Sequence, residues 1–419
     1  MNPLTAVKGM RDILPPSSAI WNQVETAARK VFARFNYREI RTPILEETGL
    51  FARGVGEETD IVSKEMYSFE DRDGSSLTLR PENTASVLRA YIEHRLDQQT
   101  GVQKLFYIGP MFRRERPQKG RYRQFYQIGA EAIGSDAPAI DAEVIELVLS
   151  ILDEVGITGY ELLINSVGSK KSRARFNEVL REKLKELAPQ MCSDCQRRAV
   201  TNPLRVLDCK VPADQPIIDQ LPSILDHLDS DDQEHFRRVR EFLDDQGIKY
   251  NVRPRLVRGL DYYARTTFEI THGALGAQNA ILGGGRYDGL AELLGSRVGA
   301  PGIGFSIGED RLVMTVEDNQ TIQPPTLDLY VAPLGDAALR HCAVLASDIR
   351  RLNVSVELGT ERKLKRLLEI ADKLAARYAV IVGDNEIVTQ TYELKDMTSG
   401  NQETLTRQKL LERFGATAG

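Results

Sequence analysis

The 419-residue chain is 42% hydrophobic and 27% charged, with a formal net charge of -5. That balance excludes a disordered or fibrous polymer and a general basic coat for non-specific nucleic-acid binding, and it leaves room for two or three domains with real cores. Four cysteines are too few for a disulfide scaffold, and no apolar run approaches the ~20 residues of a membrane span. The opening MNPLTAVKGMRDILPP lacks the charged-then-apolar order of a signal segment, so the expectation is a soluble, cytoplasmic protein with no membrane partner.

Taken in chain order, Ser17 or Ser18 can cap a helix whose Ile20, Val24, Ala27, Ala28, Val31 and Phe35 recur at helical spacing. An extended segment, Tyr37 to Pro43, follows, and its proline suits an edge strand or an interface. Residues 65–80 read as a hairpin, with Met66, Tyr67, Phe69, Leu77 and Leu79 flanking the turn Asp71-Arg72-Asp73-Gly74. It runs into Arg80-Pro81-Glu82-Asn83-Thr84, just before a helix starting near Ala85. These polar side chains either cap that helix or face a ligand, and the local pattern leaves both readings open.

Leu105 to Gly134, LFYIGPMFRRERPQKGRYRQFYQIGAEAIG, sets two strand-like arms around a loop in which Arg114 to Arg123 carry four Arg and one Lys against one Glu. A basic loop on an acidic chain points to a localised anionic ligand. Side chains two apart on a strand share a face, so Arg113 and Glu115 are expected together on one arm, and Gln127, Gly129 and Glu131 together on the other. A glycine between an amide and a carboxylate makes a flat, polar floor for a small molecule. The competing reading is a hairpin with a solvated face and a charged tip. At that tip, Arg116 suits phosphate or guanine and Gln118 a base edge.

Ile140 to Val155 shows helical spacing, and Glu161 to Val167 reads as a strand. From about 170 to 250 the character changes to charged helix, read as a helical insertion with solvated faces. Within it, Cys192, Cys195 and Cys209 give C-x2-C followed by a third cysteine, an incomplete zinc pattern whose nearest further candidates are Asp208 and the distant His227. Three free thiols are the preferred reading, and no metal ligand is assigned. Leu256 to Tyr263, LVRGLDYY, collects a fixed cation, a carboxylate and two tyrosines between the strand-like segments 250–252 and 266–270; on a strand, adjacent tyrosines would face opposite sides. A structural ion pair is the alternative there.

Gly273 to Gly308 holds eleven of the chain's 32 glycines, so its backbone turns tightly or comes close to something repeatedly. GIGFSIG misses the dinucleotide fingerprint and no P-loop lysine signature occurs. The stretch leads into Glu309-Asp310-Arg311-Leu312, a helix start with an arginine in its first turn, where the dipole favours phosphate. Glu317 to Pro325 reads as a linker, followed by strand 327–331, helix 337–352, strand 354–358, helix 363–377 and strand 379–382 of a small α/β domain. Its basic Arg362 to Arg366 run is either an RNA contact or a solvated helix face.

KGMRDILPP, RPENT, FRRERPQKGRYRQFYQIGAE, LVRGLDYYARTTFE, GGGRYDGL and GIGFSIGEDRL, in that order, resemble the motifs of the bacterial histidyl-tRNA synthetases, a family of class II aminoacyl-tRNA synthetases. The resemblance covers the chain nearly end to end. It implies an α+β fold: a catalytic domain on an antiparallel sheet at 1–322, including the insertion, and an α/β anticodon-binding domain at 326–419. It further implies a homodimer whose interface uses the segment ending at Pro43. The implied reaction has two steps: the carboxylate of L-histidine attacks the α-phosphate of ATP, releasing pyrophosphate, and the 3'-end of tRNA(His) then takes the histidyl group from the adenylate. Magnesium would bridge pyrophosphate oxygens. By the same resemblance Arg113 and Arg258 are the catalytic pair at the α-phosphate. Glu82, Asn83, Thr84, Gln127, Glu131, Tyr262 and Tyr263 join them in holding histidine, Glu115, Arg121 and Arg311 join Arg113 on ATP, and Arg116 and Gln118 contact tRNA. Asn83 stands where the family often has glycine, which leaves the backbone geometry there open.

A rival of another class is a non-catalytic, histidine-sensing regulatory subunit of ATP phosphoribosyltransferase, which shares the catalytic fold. Such a subunit has no use for phosphate-binding arginines or an anticodon-binding domain.

Overall fold

The computed structural model describes residues 3–56, 59–118, 120–273, 280–319 and 327–415. The chain divides into two compact units, Met1–Thr321 and Ile322–Gly419. The first is built on an eight-stranded sheet whose strands, in chain order, are β1 (Arg38–Glu39), β2 (Gln103–Phe112), β3 (Gln124–Ile133), β4 (Tyr160–Ser166), β5 (Asn251–Val252), β6 (Ala264–His272), β7 (Ala280–Arg286) and β8 (Gly302–Gly308). Their spatial order is β1-β2-β3-β8-β7-β6-β4-β5. The six central strands pair antiparallel, and the short β1 and β5 pair parallel to their neighbours at the two edges.

Registry decides which side chains meet. Tyr107 lies opposite Gly129 and Gly109 opposite Gln127; Gly129 lies opposite Ser306 and Glu131 opposite Gly304. Continuing across, Ser306 pairs with Gly283 and Gly283 with Glu269. Directly opposed residues share a face, so one face of the sheet is a polar, glycine-rich floor. The alternate residues Ile128, Ala130, Ile303, Phe305, Ile307, Phe268 and Ile270 are all buried on the other face, where helix Pro138–Glu154 packs on β8.

Helix Ser17–Arg34 buries Ile20, Val24, Ala27, Ala28 and Val31 as expected, with Trp21 and Phe32 in place of Phe35, which lies past its end half-buried; its N-cap is Pro16, and neither serine caps it. The hairpin forms from strands Tyr67–Glu70 and Ser76–Leu79. The insertion is helical: Ser169 caps Lys170–Leu187 and Asp229 caps Ser230–Asp245, each accepting a backbone N–H three residues on. Phe176, Leu180 and Leu184 share one apolar cluster with Tyr107, Tyr262 and Tyr263 of the floor side, so the insertion is packed on the eight-stranded sheet and is not a free appendage. Of the groups around its cysteines, Asp208 pairs with Lys210 at 3.2 Å and His227 packs on Phe176. The acid that joins the three thiols is instead Asp214.

Helix Glu309–Asn319 runs through the first residues of the expected linker, and the rest of that linker, 320–325, lies outside the described residues. The second unit has a five-stranded sheet in the order Val356–Leu358, Leu329–Pro333, Tyr378–Val382, Thr391–Asp396, Gln402–Thr406. Its first three strands are parallel, as the alternation of strand and helix predicts, and the last two antiparallel. Residues 362–366 are all exposed.

Candidate functional site

A cavity of about 310 Å3 stands over the glycine floor. Arg113, Arg121, Arg258 and Arg311 line it together with Glu115, Glu269, Asp208 and Asp310, although these residues come from stretches up to two hundred positions apart. Strand β2 ends at Phe112, so Arg113 and Glu115 lie just past it and not on the arm itself; both still reach the cavity. Arg113 donates from Nε to the Pro81 carbonyl at 2.8 Å, and its guanidinium covers the Phe125 ring at 5.3 Å. Arg121 pairs with Glu115 at 2.9 Å. Arg311, third residue of its helix, donates to the Ala280 carbonyl at 2.7 Å. Burial and the neighbouring Arg121 charge hold the Arg311 pKa below its usual range. Two cations held this close favour an anion between them.

Arg258 pairs with Glu269 of β6. Burial works against its charge, and the Glu269 carboxylate overcomes this and raises its pKa. Its guanidinium lies flat on Gly283, where any Cβ would overlap it, and the Tyr107 ring covers Gly129 in the same way. These glycines are there for close approach. The Arg258 loop is irregular backbone and not strand, so the expected opposite facing of Tyr262 and Tyr263 does not occur: both rings are buried with centroids 4.8 Å apart. The insertion grips this loop. Asn202 donates to Asp261 at 2.9 Å, Arg205 to the Gly259 carbonyl at 3.0 Å, and Arg173 to the Tyr263 carbonyl.

At the other end of the floor, Glu82 does cap helix Thr84–Glu93, accepting the N–H groups of Thr84 and Ala85 at 2.8 and 3.0 Å. It also faces the Tyr262 hydroxyl at 3.5 Å. The capping reading of that residue therefore holds, and its carboxylate meets Tyr262 besides. Thr84 donates its hydroxyl to Glu131 at 2.7 Å. Asn83, at φ -121°, needs no glycine conformation; its amide oxygen accepts from Thr42 at 2.6 Å and from Arg80 at 3.3 Å. Glu131 is 1% exposed, and burial pushes its carboxyl up to about 8 against the pull of the Thr84 hydroxyl.

Five buried polar atoms on this one face have no hydrogen-bond partner among the described residues: Tyr107 Oη, Gln127 Oε1, Glu131 Oε2, Arg258 Nε and Ser306 Oγ. Buried polar groups are normally satisfied; of these five, Arg258 and Ser306 line the cavity, whereas Tyr107, Gln127 and Glu131 lie on the floor outside its lining. Arg116 and Gln118 are exposed and do not line the cavity. The sequence reading missed Tyr107, Glu269 and Ser306, because each matters only through its cross-strand partner. It also missed Arg11, which joins Asp310 at 2.8 Å and covers the Tyr122 ring at 4.2 Å; KGMRDILPP offered a motif but no chemistry.

Residues 9–312 match the family described as Histidyl-tRNA synthetase, and residues 328–417 match the Anticodon binding domain. The chain is 67% identical over 415 residues to the histidine–tRNA ligase of Solibacter usitatus, covering 99% of this chain and 100% of that protein. It is 56% identical to that of Koribacter versatilis, covering 97% and 95% respectively. Among solved structures it is similar to the apo S. aureus histidyl-tRNA synthetase, with a TM-score of 0.83, 38% identity, and coverage of 99% of this chain and 100% of that one.

Proposed function

The chain belongs to the histidyl-tRNA synthetase family, and on that footing we propose that it is a histidine–tRNA ligase: it activates L-histidine with ATP and passes the histidyl group to the 3'-end of tRNA(His). The observation that carries this reading is the meeting, on one glycine floor, of four cavity arginines with the unpartnered Tyr107, Gln127 and Glu131. Residues 1–322, with the insertion at about 170–250, form the catalytic domain, and 326–419 the anticodon-binding domain.

In the activation step, Arg113 and Arg258 are the catalytic residues. Charge moves onto the α-phosphate oxygens as the histidine carboxylate attacks, and fixed guanidinium groups stabilise that charge without reorganising. Arg121 and Arg311 hold the outer phosphates, and Glu115 keeps Arg121 in place. Imidazole offers one donor and one acceptor nitrogen; Glu131, with Tyr263, fixes its tautomer, and Gln127 completes the floor. Glu82 and Thr84 receive the amino group beside Tyr262, and Asn83 braces that edge through Thr42 and Arg80. A site whose buried polar groups are satisfied only by imidazole rejects isosteres by about 10⁴ or more.

Magnesium accompanying ATP fits the donor set, since Glu115 and Glu269 present hard carboxylate oxygens to the cavity and would hold it. When bound, it supplies further neutralisation of phosphate charge. Arg116 and Gln118 contact the acceptor end of the tRNA. The protein works as a homodimer whose interface includes the segment ending at Pro43, and in the cytoplasm; among the described residues no helix is long and apolar enough to cross a membrane. Histidine-dependent exchange of pyrophosphate into ATP tests the reading, and folded protein that shows no exchange refutes it. The regulatory-subunit alternative is disfavoured by the anticodon-domain match and by the arginines around one cavity.

A further inference from the structure

Beyond the cavity, the three cysteines of the insertion meet a carboxylate that sequence spacing did not offer. The thiol sulfurs of Cys192, Cys195 and Cys209 and one carboxylate oxygen of Asp214 all lie within 4.8 Å of one another. Cys192 Sγ is 3.9 Å from Cys209 Sγ, and Cys209 Sγ is 3.2 Å from Asp214 Oδ2. A tetrahedral zinc ion with Zn–S near 2.3 Å and Zn–O near 2.0 Å requires edges of about 3.8 Å between sulfurs and about 3.5 Å from sulfur to oxygen. Those two separations fit such edges within a few tenths of an ångström, and the remaining edges are no longer than 4.8 Å. A disulfide would need about 2.05 Å, so no disulfide joins these thiols.

The backbone presents the four groups from different turns. Cys192 is the N-cap of helix Ser193–Thr201 and Cys195 lies in its first turn. Cys209 follows the 3-10 turn Pro203–Asp208, and Asp214 ends the turn Pro212–Asp214. Cys195, Cys209 and Asp214 are buried, the last at 2% exposure. The partners of the Asp214 carboxylate are the Cys192 N–H, at 3.1 and 3.2 Å, and the Cys209 thiol. It forms no ion pair with lysine or arginine among the described residues. A buried carboxylate is expensive without a cation or a metal. The Val211 N–H donates to Cys209 Sγ at 3.4 Å, the kind of outer bond that orients a metal ligand.

We propose that Cys192, Cys195, Cys209 and Asp214 bind one structural zinc ion. Three thiolates and a carboxylate at tetrahedral spacing select zinc over magnesium or calcium, which take all-oxygen sites, and four protein ligands leave no open position for catalysis. Binding releases the three thiol protons to solvent. The ion staples the 192–214 segment, and this segment carries Asn202 and Arg205, which hold Asp261 and Gly259, both just after Arg258 in its loop. Zinc therefore braces one wall of the catalytic cavity from outside it.

The test is metal analysis of the full-length protein, purified without added metal or chelator and again after incubation with zinc and gel filtration. One zinc per chain is expected, with the ion lost in Cys195→Ser and in Asp214→Ala and kept in Cys342→Ser, whose thiol lies in the second unit. If the variants do not fold, the wild-type protein still decides: titration with a mercurial in the presence of a zinc dye should release the zinc as three thiols react. No zinc after incubation, zinc retained in both ligand variants, or a Cys192–Cys209 disulfide in fresh protein would each overturn the site.

Discussion

Replacing Arg258 with alanine isolates the charge that, in the proposed mechanism, faces the reacting phosphate. The guanidinium lies on Gly283 and lines the cavity, with Nε unpartnered among the described residues and one Nη on Glu269. A unit charge about 4 Å from a developing phosphate charge is worth about 4 kcal/mol at an effective dielectric of 20. Loss of one preorganised donor in acyl-transfer sites costs about 2.7–4 kcal/mol. Both routes give a fall of about 10²–10³-fold in the activation step. The fold should survive, because Glu269, 20% exposed in its side chain, keeps access to water when its partner is removed. Single-turnover formation of histidyl-adenylate under saturating ATP and histidine measures the step directly, and circular dichroism checks the fold. A rate within threefold of wild type, roughly 0.6 kcal/mol, would refute the assignment of Arg258 to the transition state.

Gly283→Ala should reproduce much of that loss with Arg258 still present, since the new Cβ displaces the guanidinium; unchanged exchange kinetics would show that Arg258 works from elsewhere. Glu131→Gln keeps an acceptor for Thr84 but cannot ionise, so above pH 8, where the wild-type carboxyl is charged, the histidine KM should rise about 10–100-fold, the worth of one charge-assisted hydrogen bond, with the ATP KM little changed. An unmoved histidine KM would free the imidazole from Glu131. Glu309 is fully buried with neither oxygen hydrogen-bonded among the described residues, and burial together with the Glu25 and Asp310 charges pushes its pKa up to about 9. A raised carboxyl pKa stabilises the folded state below the unfolded value near 4.5, and that contribution is lost as pH rises toward 9, at up to about 1.4 kcal/mol per pH unit. Glu309→Gln should therefore melt above wild type at pH 8 and level with it at pH 4; parallel melting curves at both would contradict the buried, protonated acid. Gln118→Ala should slow tRNA charging and leave pyrophosphate exchange intact, and charging at the wild-type rate would move the tRNA contact off the loop tip.

How far the site was legible depended on the range of the interaction. Gln127, Gly129 and Glu131 lie on one strand, where a period of two fixes their common face, and the structure keeps them there. Glu82 could be read as a cap or as a ligand group; the structure shows the cap, and only tertiary packing brings Tyr262 to it from 180 residues away. The pairing of Tyr262 with Tyr263 failed the alternation rule because the chain turns before β6 begins. In the second unit the parallel βαβ pattern was legible, whereas residues 384–415 carry shorter, less periodic elements and passed unread.

The sequence by itself determined the order of elements, the charge contrast between an acidic chain and a basic loop, and, through six motifs, the family. These are local properties or properties of order along the chain. Tertiary structure alone decided what required register and closure: that Ser306, Gly283 and Glu269 continue the floor begun by Gln127 and Glu131, that Arg258 rests on a glycine, and that Asp214 rather than Asp208 or His227 completes the cysteine cluster. Side chains remote in sequence meet only once strand pairing and packing have fixed the backbone, and no spacing rule along the chain encodes those distances.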